Sequence, residues 1–495
     1  MTLKTAISFF IFATLAAPLG RGEELALTLD ECIARARSMS VDATVARDEL
    51  TAAYWEYRSY RADRLPEVTF TSTLPAYRKQ YSSYMNSEGE YTFVRNNFLE
   101  IEGEVSVSQK ILPTGGTIAL STSLDFLRQL DGNPYNRYMS VPVSLSLTQP
   151  VFGVNTPKWN SRIEPVRYRE AQAAYLTATE QVAMTAIQRF FNLLLARENE
   201  SIARQNLANA EKLHEVAREK RKLGEISKND LLQMELNELQ ARSELTECVS
   251  SRRSAMFSLR TFLDLGEDVE PVPLVPQQVP VANPSFDDVL AKALERNKLA
   301  TNLRRRQLEA DYEVAKAKGA MREINLHASV GYTGTDKAIG GAYSRLRDNQ
   351  IVEIGVSIPL LDWGKRRGRV RVAESNRQVT EARLRQERMD FSQDLFVLTE
   401  RFTNQRDQLR LAERSDTIAS RRYATNVETY LIGQISTLDL NDSQSSKDQA
   451  RRQYINELFS YWYYYYQLRS LTLWDFENDR PIEADFEAVA VRRRY

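Results

Sequence analysis

Two hydrophobic patterns alternate along this chain, and they occur in the same order twice. In the longer stretches apolar residues recur every three or four positions, as at Ala203, Leu207 and Ala210. This spacing is typical of the seam between paired helices. In the segments between them, apolar and polar residues alternate one by one, which predicts strands with one apolar and one polar face. The chain is therefore expected to combine long helices with a smaller share of strands.

Each copy of the pattern predicts a helical stretch, a strand insert, a long helix and a shorter returning helix. Neither Gly nor Pro occurs within 166–223 or 369–432, and uninterrupted runs of this length favour a coiled coil. At about 1.5 Å per residue, each long helix would reach roughly 90–100 Å. The elements predicted for the first copy are 29–65, 67–149, 158–223 and 228–263. Those predicted for the second copy are 286–322, 324–358, 365–431 and 437–471.

The alternation is clearest in four strands of the two inserts. Their apolar sets are Leu99, Ile101, Val105 and Val107; Ile118, Leu120, Leu124 and Phe126; Val141, Val143, Leu145 and Leu147; and Val352, Ile354, Val356 and Ile358. In a soluble sandwich the polar face would point outward, whereas in a membrane barrel it would line the lumen. The smallest barrels have about eight strands, so one chain has too few to close one. Either the strands form a small soluble sheet, or several chains pool them.

The turn between the long helix and the returning helix also occurs twice. Leu223-Gly224-Glu225-Ile226-Ser227 recurs 209 positions later as Ile432-Gly433-Gln434-Ile435-Ser436. The helix that opens each copy recurs after 257 positions, from Asp30 to Asp287. The chain is therefore a duplication, and its first copy carries 48 extra residues in the strand insert (257 against 209). If these form a hairpin that joins the other strands, each chain supplies six strands. We expect four strands, with the extra residues as a loop.

The sequence also predicts the domain boundaries, which include a signal peptide at the start and a linker between the two copies. Lys4, an apolar run and Pro18 predict a secretory signal peptide over 1–22. The other predicted segments are the first repeat at 23–270, a Pro-rich linker at 271–285, the second repeat at 286–475 and a C-terminal tail at 476–495. The two helical hairpins are predicted at 158–263 and 365–471.

Charge and composition exclude several classes of function. Basic and acidic residues number 66 each, which gives no general attraction to nucleic acid. His214 and His327 are the only histidines and lie far apart in the sequence, so a His-based metal site is not expected. Cys32 and Cys248 are expected as free thiols, with a disulfide as the alternative. The sequence holds no nucleophile paired with a base and no phosphate-binding loop, so we expect neither an enzyme nor a cofactor.

The signal peptide and the two copies of helix, strand insert and long hairpin together resemble the TolC-like outer-membrane efflux protein family. The resemblance covers nearly the whole mature chain. It implies a mainly α fold with β, in which the hairpins of a homotrimer form an α-barrel and the strands of three protomers form one transmembrane β-barrel. The protein would then lie in the outer-membrane lipid of a Gram-negative bacterium, with its tunnel in the periplasm. From the residues alone, an exported soluble coiled-coil scaffold or adaptor with a small β-sandwich remains the alternative.

The resemblance further implies a function and partners. The implied function is that of a passive exit duct for efflux of small molecules or for type I secretion. The implied partners are a periplasmic adaptor (a membrane fusion protein), which docks on the duct, and an inner-membrane transporter. Both turns look like the family's docking points, where Gly permits positive φ, Ile supplies an apolar anchor and Ser suits a helix cap. The docking residues expected on this basis are Gly224, Ile226, Ser227, Gly433, Ile435 and Ser436.

The resemblance also assigns a pore constriction to the second turn. Tyr430 before the turn, with Asp439 and Asp442 after it, looks like the family's periplasmic gate, where carboxylates ring the narrowest point. The two carboxylates lie three positions apart and share one helix face. From its position alone, Asp439 is better explained as a helix-start carboxylate that faces the positive end of the helix dipole. Two departures stand out, because Ile435 replaces a locking Arg of the best-known member and Gln233 replaces the second carboxylate in the first copy.

An aromatic run, Tyr461-Trp462-Tyr463-Tyr464-Tyr465-Tyr466, lies in the second returning helix. Such a run is typical of the aromatic belt at a membrane surface. The run follows the second turn by only about 25–30 residues, which is roughly 40 Å of helix. We therefore expect it to pack helices together.

Overall fold

The computed structural model describes residues 23–85, 89–131, 134–321, 323–357, 361–431, 434–435 and 437–491. These residues form two compact units. The first, here called the hairpin unit, comprises the described residues of Met1–Ala46, Ala178–Ser285 and Val397–Pro481. The second, the sheet unit, comprises those of Arg47–Thr177, Phe286–Phe396 and Ile482–Tyr495. The predicted signal peptide lies outside the described residues.

Helices make up most of the described chain. They are α1 (Leu29–Met39), α2 (Val41–Ala62), α3 (Thr156–Lys222), α4 (Lys228–Phe262), α5 (Phe286–Arg296), α6 (Lys298–Gly319), α7 (Ile339–Ser344), α8 (Lys365–Leu431), α9 (Thr437–Thr472) and α10 (Phe486–Val491). The long helices α3 and α8 each run for 67 residues. Helix α3 begins at Thr156, so Pro157 occupies its first turn, where a missing N–H costs nothing.

The two opening helical stretches are each divided, whereas the sequence pattern predicts them as continuous. Helix α1 ends before Ser40, whose Oγ accepts a hydrogen bond from the N–H of Ala43 at 3.2 Å. Helix α6 starts after Asn297, whose side-chain oxygen accepts from the N–H of Leu299 at 2.7 Å. Short polar side chains of this kind satisfy the free N–H groups at a helix start. Each copy therefore opens with a short helix followed by one of 22 residues.

The strands fall into one large sheet and two small ones. They are β1 (Glu23–Leu27), β2 (Glu67–Met85), β3 (Tyr91–Lys110), β4 (Thr117–Gln129), β5 (Tyr135–Pro150), β6 (Val269–Pro273), β7 (Glu323–Asp336), β8 (Leu346–Ser357), β9 (Trp474–Asp475) and β10 (Arg480–Pro481). Among the described residues, the large sheet has six strands in the order β2-β3-β4-β5-β7-β8. Every neighbouring pair in it is antiparallel.

The six-stranded sheet corrects the expectation of four strands per chain. All four strands of the first insert pair with one another, and β5 pairs with β7 of the second insert. The extra residues of the first copy therefore extend the sheet, and β2 alone is 19 residues long. Alternation along a strand is the same in a projecting hairpin and in a sheet. The pattern could not show which of the two the extra residues would form.

A parallel strand pair joins the start of the described chain to the junction between the repeats. Strand β1 pairs with β6 in parallel, with Glu23 opposite Val269 and Leu27 opposite Pro273. The first residues of the predicted linker are thus part of a strand. Beyond the strand, the N–H of Leu274 donates to the carbonyl of Leu27 at 3.0 Å.

The aromatic run in α9 forms much of the core of the hairpin unit, as the sequence predicts. Tyr461 and Tyr465 are each 1% exposed, and both rings lie against Phe402 of α8. The Tyr461 hydroxyl donates to the carbonyl of Pro280 at 2.6 Å, and the Tyr465 hydroxyl donates to Asp475 at 2.9 Å. The hydroxyl groups are therefore satisfied while the rings are buried, as large aromatic core residues require.

A buried carboxylate ties three helices of the same unit together. The side chain of Glu180 in α3 is 1% exposed. It accepts from Arg37 of α1 at 2.6 Å and from Arg469 of α9 at 3.1 Å. Arg469 also pairs with Asp475 at 3.3 Å. Burial alone would lower the pKa of Arg469, but the charge of Glu180 and the nearby acidic groups raise it. Arg469 is therefore charged at neutral pH.

Candidate functional site

The first repeated turn connects α3 to α4 in the hairpin unit. Gly224 has φ of +79°, a left-handed conformation that a side chain disfavours. The N–H of Glu225 donates to the carbonyl of Lys220 at 3.0 Å, and Arg221 donates to the carbonyl of Ile226 at 2.9 Å. The first bond satisfies a carbonyl at the end of α3, and the second closes the turn. Gly224 therefore makes the tight reversal possible.

A capping box starts the returning helix of the first copy. Ser227 Oγ accepts from the N–H of Asp230 at 3.1 Å, and Asp230 Oδ2 accepts from the N–H of Ser227 at 3.0 Å. Hydrogen bonds from the Ser227 side chain and backbone lower the pKa of Asp230. The repeat equates Asp230 with Asp439, so in the first copy this carboxylate caps a helix.

The apolar groups of the first turn differ in exposure from the sequence expectation. Ile226, expected as an exposed anchor, is half-buried, whereas Leu223 is 74% exposed. In the second turn Ile435 is likewise half-buried. The expected docking residues Gly433 and Ser436 lie outside the described residues. Leu223 is therefore the apolar side chain that the first turn presents to solvent.

The second turn connects α8 to α9, and the predicted gate residues lie on both helices. Tyr430 is in the last turn of α8, and its side chain lies outside the described part of the structure. Asp439 is in the first turn of α9 and is exposed, and its carbonyl accepts from the side chain of Asn426 at 3.5 Å. Asp442 lies one helical turn further on and is also exposed. The two carboxylates therefore occupy neighbouring positions at the tip of the hairpin.

An arginine accompanies the predicted gate. Arg422 of α8 donates from Nη2 to Asp442 Oδ2 at 2.7 Å. The two side chains are 51% and 62% exposed, so water screens the pair and its contribution to stability is small. Its importance is electrostatic, because it offsets the charge of one of the two gate carboxylates within the same hairpin.

The six-stranded sheet separates apolar from polar side chains across its two faces. One row of directly opposed residues crosses the sheet as Val68, Val107, Leu120, Leu145, Val330 and Gln350. The apolar members of this row that are most open to solvent are Val68 (68% exposed), Val330 (52%) and Leu120 (47%). An exposed apolar face of this extent marks an interaction surface.

The adjacent row on the other face is polar or small throughout. Its members are Thr69, Ser106, Ser121, Ser144, Gly331 and Asn349. Thr69 and Ser106 share a hydrogen bond of 2.7 Å between their hydroxyl groups. The face also carries acidic groups on β3, including Glu102 and Glu104. An apolar face opposite a polar one is the pattern of strands that face lipid on one side and water on the other.

The sequence matches the family model described as outer membrane efflux protein over residues 32–264 and 289–472. The chain belongs to this family. The two matched ranges include both helical hairpins and the six strands of the large sheet. No curated protein matches the sequence of this efflux protein.

Solved outer membrane channels have the same fold as this efflux protein. The Campylobacter jejuni CmeC outer membrane channel is 14% identical, with a TM-score of 0.64 over 99% of this chain and 97% of that one. The outer membrane protein VceC of Vibrio cholerae is 14% identical, with a TM-score of 0.62 over 92% and 97%. The open state of the Neisseria gonorrhoeae MtrE outer membrane channel is 15% identical, with a TM-score of 0.58 over 92% and 91%.

The histidines and cysteines of this efflux protein have ordinary structural surroundings. His214 contacts Glu238 at 2.6 Å, and His327 contacts Thr148 at 3.2 Å. Cys32 is buried, and both Cys32 and Cys248 are free. Within the described ranges, no group of three or more His, Cys, Asp and Glu residues is arranged to hold a metal ion. No described helix is both long enough and apolar enough to cross a membrane.

Sequence reasoning missed Arg422 although a simple signal was present. Arg422 and Asp442 each lie ten positions from Ile432 in the turn. Residues at equal distances from the turn of a helical hairpin face one another, so the pairing follows from the sequence once the hairpin is recognised. Apart from Tyr430, the expectation considered only the returning helix, where the two carboxylates lie.

Proposed function

We propose that this efflux protein is a passive exit duct that works as a homotrimer in the outer membrane of a Gram-negative bacterium. One observation carries the proposal: the six-stranded sheet exposes a continuous apolar face and is too small to close by itself. Closing a sheet into a barrel takes about eight strands or more. Three copies that pool their strands would complete a barrel, with acyl chains against the apolar face and water against the polar face.

The partners follow from the family and the two turns. The helical hairpins would form a tunnel in the periplasm, where both turns would dock a membrane fusion protein. Leu223, Ile226 and Ile435 would supply its apolar contacts. An inner-membrane transporter would provide the energy, and the cargo would be small molecules or a type I secreted polypeptide. The solved relatives CmeC and MtrE, both described as outer membrane channels, support this assignment.

The proposed gate lies at the second turn. In a homotrimer, Asp439 and Asp442 from three copies would ring the pore together with Tyr430. A ring of carboxylates attracts cations and repels anions. The ion pair between Arg422 and Asp442 supports a modulated version of this gate, since the arginine offsets one carboxylate of each copy.

Replacing Arg422 with Ala is expected to strengthen the block of single-channel current by a divalent cation. The change removes the partner of Asp442, and an exposed ion pair of this kind corresponds to at most about a 5-fold change in affinity. The measurement is the concentration of Mg²⁺ that halves the current through trimers in planar bilayers. Asp442→Asn should weaken the block in the wild type and remove the effect of the Arg422 change.

Arg421→Ala is the matched control for this prediction. It removes the same charge from the neighbouring position of α8, and it leaves the pair between Arg422 and Asp442 intact. If the two arginine variants respond alike to Mg²⁺, the effect is one of overall charge and Asp442 is not part of the constriction.

Fractionation of cells tests the duct itself. We expect the mature protein in the outer-membrane fraction, released only by detergent and with the mass of a trimer by light scattering. The full 495-residue chain is 56.8 kDa and loss of the predicted signal peptide changes this little, so a trimer and a monomer are easily told apart. A protein that is extracted as a monomer by salt alone would instead be the exported soluble scaffold.

A further inference from the structure

Strands β2 and β3 of the first repeat belong to the same apolar band as the rest of the sheet. In the apolar row, Val68 of β2 stands opposite Val107 of β3, and Val107 stands opposite Leu120 of β4. The row then passes without a shift through Leu145 of β5 to Val330 of β7. A hairpin that projected into water would have no reason to keep this register with its apolar residues on the common face.

The lengths of β2 and β3 allow this placement. A membrane-crossing strand needs about 9–11 residues. Strands β2 and β3 have 19 and 20 residues, and the aligned rows use only their ends nearest the helices. The register shifts between Thr73 and Ala76, beyond the rows. The parts of β2 and β3 on the helix side of this shift lie in the apolar band. The parts on the other side of the shift extend beyond that band.

The two edges of the sheet are complementary. In the described chain, β2 and β8 are the edge strands, and each pairs on one side only. Six strands alternate in direction across the sheet, so β2 and β8 run in opposite directions. A β8 edge can therefore pair in antiparallel fashion with the β2 edge of a second copy. Unpaired edges are templates for such pairing, and a closed ring removes them.

We propose that all six strands enter the membrane barrel, so that three copies close β8 to β2 into a barrel of eighteen strands. The inference rests on the proposed homotrimer and goes beyond it by fixing the contact between copies. With neighbouring strands about 4.8 Å apart and a tilt of about 40°, the barrel would be roughly 36 Å across. Four strands per copy would give roughly 24 Å by the same relation. The membrane section would thus be about 1.5-fold wider.

Disulfide cross-linking between copies tests the proposed contact. The native cysteines are first replaced (Cys32→Ala and Cys248→Ser). Val68→Cys on β2 is then combined in turn with Asp348→Cys, Gln350→Cys, Val352→Cys and Ile354→Cys on β8. We expect at least one pair to give covalent trimers on non-reducing gels after oxidation of outer membranes.

A matched series distinguishes the alternative sheet. If β2 and β3 lay outside the barrel, β4 would be the edge, so Leu120→Cys replaces Val68→Cys in the second series. Covalent trimers from the Leu120 series alone would overturn the eighteen-stranded barrel and leave the homotrimer standing. Trimers by light scattering with no cross-link in either series would also overturn the contact. A monomer in detergent would instead overturn the homotrimer on which the inference rests.

Labelling of single cysteines on β2 provides a second test, which does not depend on disulfide formation between copies. Phe70→Cys lies on the apolar face of β2, opposite Val105. In intact outer membranes we expect a bulky membrane-impermeant maleimide to label Phe70→Cys at least tenfold more slowly than Tyr84→Cys, which lies beyond the register shift of the same strand. Equal labelling rates would place the whole of β2 in water and overturn the inference.

Discussion

Leu145→Arg is expected to prevent this protein from assembling in the outer membrane. Leu145 lies at the centre of the apolar row, on β5, and is 43% exposed in the single chain. An arginine on the lipid-facing side of a membrane strand costs about 2–4 kcal/mol at the middle of the bilayer. A homotrimer would carry this cost three times. The measurement is the fraction of protein found as heat-resistant trimer in outer membranes.

Ser146→Arg is the matched control for Leu145→Arg. Ser146 is the next residue of the same strand and points to the polar face, between Ala119 of β4 and Ser329 of β7. These small neighbours leave room for the longer side chain. We expect normal assembly with a changed ion selectivity. If both arginine variants assemble equally well, the apolar face does not contact lipid.

Glu180→Ala is expected to lower the free energy of unfolding of the hairpin unit by about 3 kcal/mol. Removing one partner of a buried ion pair leaves an uncompensated charge and typically costs about 3–5 kcal/mol. We expect the lower end of this energy range because, without Glu180, Arg469 still keeps its ion pair with Asp475 at 3.3 Å. Urea unfolding of the detergent-solubilised protein, followed by tryptophan fluorescence, measures the change. Trp462, which is 8% exposed, reports on this core.

Two further variants separate charge from shape at this position. Glu180→Gln keeps the shape and one acceptor, so we expect a loss smaller than that of Glu180→Ala but still clear. Glu219→Ala removes a carboxylate from the same helix that pairs with Lys222 at 2.7 Å, with both side chains about two-thirds exposed. We expect no measurable change from it. Equal effects at positions 180 and 219 would show that the burial of Glu180 has no energetic importance.

The helical hairpins were the most predictable part of the fold. Their pattern is local, since apolar spacing and the lack of Gly and Pro continue for many turns. The repeated turn gave the reversal points, and α4 begins at Lys228 as predicted. The breaks at Ser40 and Asn297 were missed, because a cap inside a helical pattern changes only one or two residues.

Features that depend on distant contacts could not be predicted from local pattern. The strand count required the register between β3, β4 and their neighbours, which alternation does not contain. The buried cluster joins Glu180 to Arg37, 143 positions away, and to Arg469, 289 positions away. A charged residue on a helix is usually exposed, so no signal in the sequence marks Glu180 as buried or the two arginines as its partners. At the predicted gate, by contrast, the hairpin symmetry contained the signal for Arg422, although the sequence reasoning did not use it.

The parallel pair of β1 and β6 has a consequence for the order in which the chain folds. Residue 23 is hydrogen-bonded to the strand that contains residue 269, so the whole first repeat lies between the two partners. Contacts between such distant positions form slowly, because a long loop must close first. A chain that is exported from its N-terminus presents β1 first, and β1 waits without its partner until the Pro-rich junction emerges. Closure of this pair therefore marks completion of the first repeat.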